Sequence, residues 1–163
     1  MADTKLLKDR GLPKGILRLF LRAPLMLYRL GIASMFGGRF LKLTHIGRKS
    51  GKRRETVLEV VKHDEGKGTF YVASGWGEQS NWLRNVMVNP NVEVQFKWNK
   101  FNAKARRLGL DDASAVLAEY AGLHPKAFEI LTGRILGEKL MPTAESARVI
   151  AEHVPIVAFE TRG

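Results

Sequence analysis

Residues 91–105 read Asn-Val-Glu-Val-Gln-Phe-Lys-Trp-Asn-Lys-Phe-Asn-Ala-Lys-Ala, and this stretch decides the fold class. Val92, Val94, Phe96 and Trp98 alternate with Glu93, Gln95 and Lys97, the period of a strand with one wet face. Asn99-Lys100 supplies a turn, and the alternation resumes at Phe101, Ala103 and Ala105. Two such runs joined so closely predict an antiparallel hairpin. Upstream, residues 40–46, 56–61 and 69–74 are short apolar or β-branched runs, separated by the glycine-containing turns 47–51 and 64–68. Residues 155–160 predict a closing strand. Consecutive hairpins without helical crossovers argue against a doubly wound parallel sheet. The expectation is an α+β protein: a barrel of about six mostly antiparallel strands with appended helices.

The helices are read from their own period. Residues 12–35 repeat apolar side chains at helical spacing, with Pro13 in the first turn and a kink or restart at Pro24. Residues 80–88 form a short helix with Ser80 as cap and Trp82, Leu83 and Val86 inward. Residues 111–121, capped by Asp111 or Asp112, and 125–137 are two more. The chain thus divides into an amphipathic helical segment, 1–39, and a barrel domain, 40–163.

Composition narrows the chemistry. At 163 residues with 45% apolar and 26% charged side chains, the chain is one globular domain and long enough to bury a core unaided. With no cysteine, disulfide scaffolds, thiolate metal sites and cysteine nucleophiles are excluded. The four histidines, His45, His63, His124 and His153, form no metal-binding spacing, so no metal is expected. The net charge of +11 is uneven: residues 1–54 carry +12 and residues 55–163 carry −1. That local excess calls for an anionic partner. Neither a signal peptide nor an uninterrupted apolar span is evident, so a cytoplasmic location is expected. The basic, apolar run 12–41 also suits the surface of an anionic membrane, on its inner face. Nucleic acid is the weaker partner, because no aromatic residues interleave with the basic loop.

Three constellations could carry chemistry. In Gly47-Arg48-Lys49-Ser50-Gly51-Lys52-Arg53-Arg54, five cations share one inter-strand turn with two glycines and a serine, an arrangement suited to an anion. Three residues rather than four separate its glycines and no helix follows, so it is not a nucleotide-binding P-loop. Ala73-Ser74-Gly75-Trp76-Gly77 lies between a strand and a helix, where backbone donors can meet a planar heterocycle and Trp76 can stack on it. Trp82 and Asn85 share one helix face. No Ser-His-Asp order or carboxylate pair is present, so no catalytic residue is assigned, and a cofactor would have to carry the reaction.

Together, Leu43-Thr44-His45-Ile46-Gly47-Arg48-Lys49-Ser50-Gly51, Val72-Ala73-Ser74, Trp82-Leu83-Arg84-Asn85, Asn89-Pro90 and Pro155-Ile156-Val157 resemble the deazaflavin-dependent nitroreductase family. These are split-β-barrel oxidoreductases that use coenzyme F-420 and are related to FMN-binding split barrels. The resemblance implies hydride transfer between the reduced deazaflavin and a small planar acceptor, a quinone-like or nitro compound; a homodimer is expected, since one small barrel rarely closes a ring site alone. It implies that Arg48, Lys49 and Ser50 hold the coenzyme phosphate and that Lys52, Arg53 or Arg54 meet its polyglutamate tail. Ala73, Ser74, Gly75, Trp76 and Gly77 would line the ring, supported by Trp82 and Asn85. Glu59 stands where the family carries a tyrosine, and His124 and Phe128 fall in its tyrosine-rich segment, so these three would shape the acceptor pocket. An FMN-using relative explains fewer of the cations, since FMN has no polyglutamate tail. A lipid-binding module without catalysis is the other alternative.

Overall fold

A computed structural model describes residues 38–162. Six strands form a closed barrel, and every neighbouring pair is antiparallel. They are β1 (Phe40–Ile46), β2 (Arg53–Asp64), β3 (Thr69–Ala73), β4 (Asn91–Phe96), β5 (Asn99–Arg107) and β6 (Ile156–Thr161), in the spatial order β1-β2-β3-β6-β5-β4. Among the described residues four α-helices accompany them: α1 (Asn81–Val88), α2 (Leu110–Leu123), α3 (Pro125–Leu136) and α4 (Ala144–His153). The expected helix within 12–35 lies outside the described residues, as does all of the segment 1–39 except its last two residues. Among the described residues, no helix is long and apolar enough to cross a membrane.

Alternation sorts the strand side chains into two cores. Leu41, Leu43, Val72, Val94, Val157 and Phe159 fill the barrel, and Trp82, Leu83 and Val86 of α1 close one end of it. The opposite faces of β3 and β6 pack beneath α2, α3 and α4 in a second core that includes Leu117, Phe128, Ile150, Ile156 and Ala158. The first four residues of β6 are buried, because this strand is covered on both faces.

Three details differ from the sequence reading. The β4–β5 turn is Lys97-Trp98, not Asn99-Lys100: Phe96 pairs with Asn99, and Trp98 is 71% exposed instead of facing the core. Lys97 adopts φ 55° to make the two-residue turn. Gly109 caps α2, while Asp111 and Asp112 lie in its first turn, where carboxylates favour the helix dipole. Helix α4 has no counterpart in the reading, since it buries only Ala147 and Ile150 along its length.

Candidate functional site

The β1–β2 connection is a tight loop stapled from within. Gly51 N–H donates to the Gly47 carbonyl, and Gly47 N–H to the Lys52 carbonyl, both at 2.8 Å. A side chain at Gly47 would put Cβ 2.7 Å from Ser50 Oγ and turn that hydroxyl aside, and Gly51 sits at φ +66°, where glycine is favoured. The loop therefore presents Arg48, Lys49 and Ser50 in one shape.

Asn85 of α1 fixes that shape from outside. Its Oδ1 accepts from the Arg48 backbone N–H at 3.0 Å and from Arg48 Nη1 at 2.9 Å. Its Nδ2 lies 3.1 Å from His45 Nδ1. Asn81 Oδ1, one turn earlier, takes a longer contact from Arg48 Nη1 at 3.4 Å. One buried amide thus joins helix, loop and β1, which is why Trp82 and Asn85 need the same helix face: Trp82 anchors it in the barrel and Asn85 holds the loop. His45 is 4% exposed, and burial first, then the Arg54 charge, lower its pKa to about 4. The imidazole is neutral at physiological pH.

Next to this clasp lies a cleft of about 530 Å³ lined by His45, the loop from Gly47 to Ser50, Arg54, Glu55, Thr56, Trp76, Ser80, Asn81, Trp82 and Asn85. Its size is in the range of cofactor sites. One wall is cationic, and Trp76, 41% exposed, offers an apolar plate. The residues present suit a ligand that combines an anionic group with a flat ring.

The structure brings Arg48, Lys49, Ser50, Arg54, Trp76, Trp82 and Asn85 together around this cleft. It places other expected residues elsewhere. Arg53 points to the other face of β2, toward a second cleft of about 480 Å³ bordered by Thr44, Glu93 and Arg162, because neighbouring strand residues alternate. Lys52 is exposed where the loop enters β2 and is not part of the lining. Ala73 packs outward against the helical core. Ser74 is fully buried: its hydroxyl bonds the Gly77 carbonyl at 2.8 Å and Ser80 Oγ at 2.7 Å, shaping the turn that carries Gly75, Trp76 and Gly77. Ser80 therefore makes no side-chain cap on α1.

Glu59, His124 and Phe128 are not brought to this cleft. Glu59 pairs with Phe40, five residues along β1 from His45, about 17 Å away at strand spacing. It forms an ion pair with Arg39 at 3.1 Å. Burial, and then the Glu59 carboxylate, push the Tyr120 hydroxyl pKa up, and the Tyr120 and His124 rings lie 5.4 Å apart. Glu59, Tyr120 and His124 thus share one neighbourhood, at the edge of the helical layer. Phe128 is fully buried in the helical core and contacts no open space. The sequence alone assigns His45 no role in the site. A histidine two residues before a basic turn, on the inward parity of β1, was the available signal.

A family model described as F(420)H(2)-dependent quinone reductase matches residues 28–129. Among solved structures, a reductase dependent on F(420)H(2) is similar at 21% identity with a TM-score of 0.50, covering 75% of this chain and 94% of that one. A chain described as a domain-swapped dimer is similar at 19% identity with a TM-score of 0.52, covering 85% and 100%. A pyridoxamine 5'-phosphate oxidase-related, FMN-binding protein from Nostoc punctiforme PCC 73102 is similar at 12% identity with a TM-score of 0.54, covering 93% and 83%. At these identities the three structures show a shared split-barrel fold.

Proposed function

The chain belongs to the F(420)H(2)-dependent quinone reductase family, and from that premise we propose that the cleft between the 47–51 loop and α1 is where it holds coenzyme F-420. The chain is an F-420-dependent oxidoreductase. The bound coenzyme supplies the hydride. The residues around it bind and orient: Arg48, Lys49 and Ser50 take the phosphate, Arg54 faces the anionic tail, and Trp76 covers the ring. Trp82 and Asn85 hold that wall in place, and Ser74 shapes the turn from beneath. A ring held flat against an acceptor at near-attack distance asks little else of the protein beyond exclusion of water. The observation that carries this reading is the Asn85 clasp, which ties the basic loop and the tryptophan helix into one cleft.

The acceptor we propose is a small planar quinone. Mixing the protein with reduced coenzyme and a water-soluble quinone under anaerobic conditions should oxidise the coenzyme faster than the quinone alone does. Tight coenzyme binding with no oxidation by any quinone or nitro compound would overturn the reductase reading of this cleft. Homodimerisation is a further proposal, supported by the similar chain described as a domain-swapped dimer. Sedimentation equilibrium showing only monomer would remove it. The basic, apolar run 12–41 supports attachment to anionic lipid on composition alone, and vesicle co-sedimentation at low salt tests that.

A further inference from the structure

We propose that His45 is a neutral hydrogen-bond donor to the phosphate of the bound coenzyme, with its donating nitrogen selected by a chain that begins at Arg48. This inference rests on the cleft being the coenzyme site. Both hydrogen bonds from Arg48 to Asn85 come from N–H donors, the backbone N and Nη1. The atom they meet must be the Asn85 carbonyl oxygen, so the amide cannot be turned the other way. The Asn85 Nδ2 group then faces His45 Nδ1 at 3.1 Å, and an amide nitrogen can only donate. His45 Nδ1 must accept, and in a neutral ring the proton then resides on Nε2. Burial and the Arg54 charge keep the ring from taking a second proton, with a pKa of about 4.

That Nε2–H is available. Among the described residues it has no hydrogen-bond partner, yet no buried side-chain nitrogen or oxygen is left unsatisfied. Nε2 therefore reaches solvent, and the ring borders the coenzyme cleft and the second cleft behind it. His45 pairs in register with Arg54 and is one side chain from Arg48. Arg48 takes the phosphate in the proposed site and shares the Asn85 amide with His45, so the ligand oxygen that meets Nε2–H is a phosphate oxygen. Loop cations attract the anion from any direction, whereas a fixed N–H accepts one orientation. His45 is in this account a specificity-determining residue for how the phosphate sits.

The test is nuclear magnetic resonance of the His45 ring in the whole chain, first alone, then with coenzyme F-420 and separately with inorganic phosphate. Without ligand at neutral pH, Nε2 should carry the proton and Nδ1 should behave as an acceptor; the opposite tautomer or a charged ring overturns the proposal. Coenzyme should move the Nε2–H signal downfield together with the amides of the 47–51 loop. Movement of the loop amides without the ring overturns the proposal and leaves the cleft reading standing; no change in either overturns both. Inorganic phosphate, at a concentration that moves the loop amides, should reproduce the ring shift, and failure to do so means that another oxygen is contacted. His45→Asn keeps a partner for Asn85 but lacks the outer donor, and should weaken coenzyme binding about tenfold. His45→Gln retains a donor near Nε2 and should recover most of that loss; equal loss in both variants marks a packing role only.

Discussion

The two ends of the barrel are closed by different physics. At the end carrying the β2–β3 and β4–β5 turns, His63 stacks on Phe70 with ring centroids 4.1 Å apart and meets Phe96 edge-on at 5.0 Å, and Phe101 lies 6.1 Å from Phe70. That closure is aromatic packing, which is strong but offers few directed contacts. At the other end, α1 closes the barrel with Trp82, Leu83 and Val86, and Asn85 in the same turn ties His45 and Arg48 into one network. Each end holds a histidine whose pKa is lowered, and each is lowered first by burial. The difference lies in the company: His63 is packed among rings, while His45 is hydrogen-bonded beside cations. An end that only needs closing can rely on apolar contact. An end that must present fixed donors to a ligand needs buried polar partners, each of them satisfied.

Truncation separates the two. Phe70→Ala should destabilise the fold by about 3–5 kcal/mol, as for other buried aromatics, and leave coenzyme affinity of the folded protein unchanged. Denaturant unfolding and a coenzyme titration measure both. A large loss of affinity in this variant would mean that the aromatic end also shapes the cleft. Asn85→Ala should behave differently. Removal of three hydrogen bonds around a buried amide should cost about 2–4 kcal/mol of stability, and coenzyme binding should fall with it because Arg48 loses its anchor. Unchanged affinity would show that the loop holds its shape without the clasp.

Acid sharpens the contrast. A histidine whose pKa is lower folded than unfolded resists protonation in the fold, so the unfolded chain takes up its proton first as pH falls. The stability that His45 contributes is therefore complete above about pH 6.5 and declines toward its folded pKa of about 4. The decline should be on the order of 2–3 kcal/mol. Denaturant unfolding at a series of pH values should show a shallower acid limb in His45→Asn than in the parent protein. Identical limbs would place the acid sensitivity elsewhere, His63 included.

The smallest effect tests strand parity. Arg54 lines the cleft proposed for the coenzyme and Arg53 lines the other. Arg54→Ala should lower coenzyme affinity about tenfold, and Arg53→Ala less than about threefold, with the second loss vanishing in salt. Equal losses would mean that the tail reaches around the edge of β2.

How much of this was legible in the sequence follows from the range of each interaction. β1 was read to the residue as a short apolar-rich run, an antiparallel barrel followed from the run of hairpins, and its split-barrel type came from the family resemblance. The β4–β5 turn was misplaced by two residues: Asn99-Lys100 has the chemistry of a turn, but the pairing of β4 with β5 puts Lys97-Trp98 there. Helix α4 was missed because it buries only two side chains, Ala147 and Ile150, although Thr143, whose side chain accepts from the Ser146 N–H, marks its start. In the site, the basic loop was visible as composition and Asn85 as half of a motif. That Asn85 holds a loop 37 positions earlier in the chain is a tertiary fact, with no period to reveal it. The acceptor-side residues Glu59, His124 and Phe128 rested on likeness to the family, and they lie outside the cleft together with Lys52, Arg53 and Ala73.

The most direct measurement is a parallel titration of the protein and its Arg48→Ala variant with coenzyme F-420 and with FMN. The account predicts tighter binding of coenzyme F-420 than of FMN by the parent protein and a loss of about ten- to a hundredfold for the coenzyme in the variant. Equal or preferential binding of FMN, or a variant that binds the coenzyme as well as its parent, would contradict it.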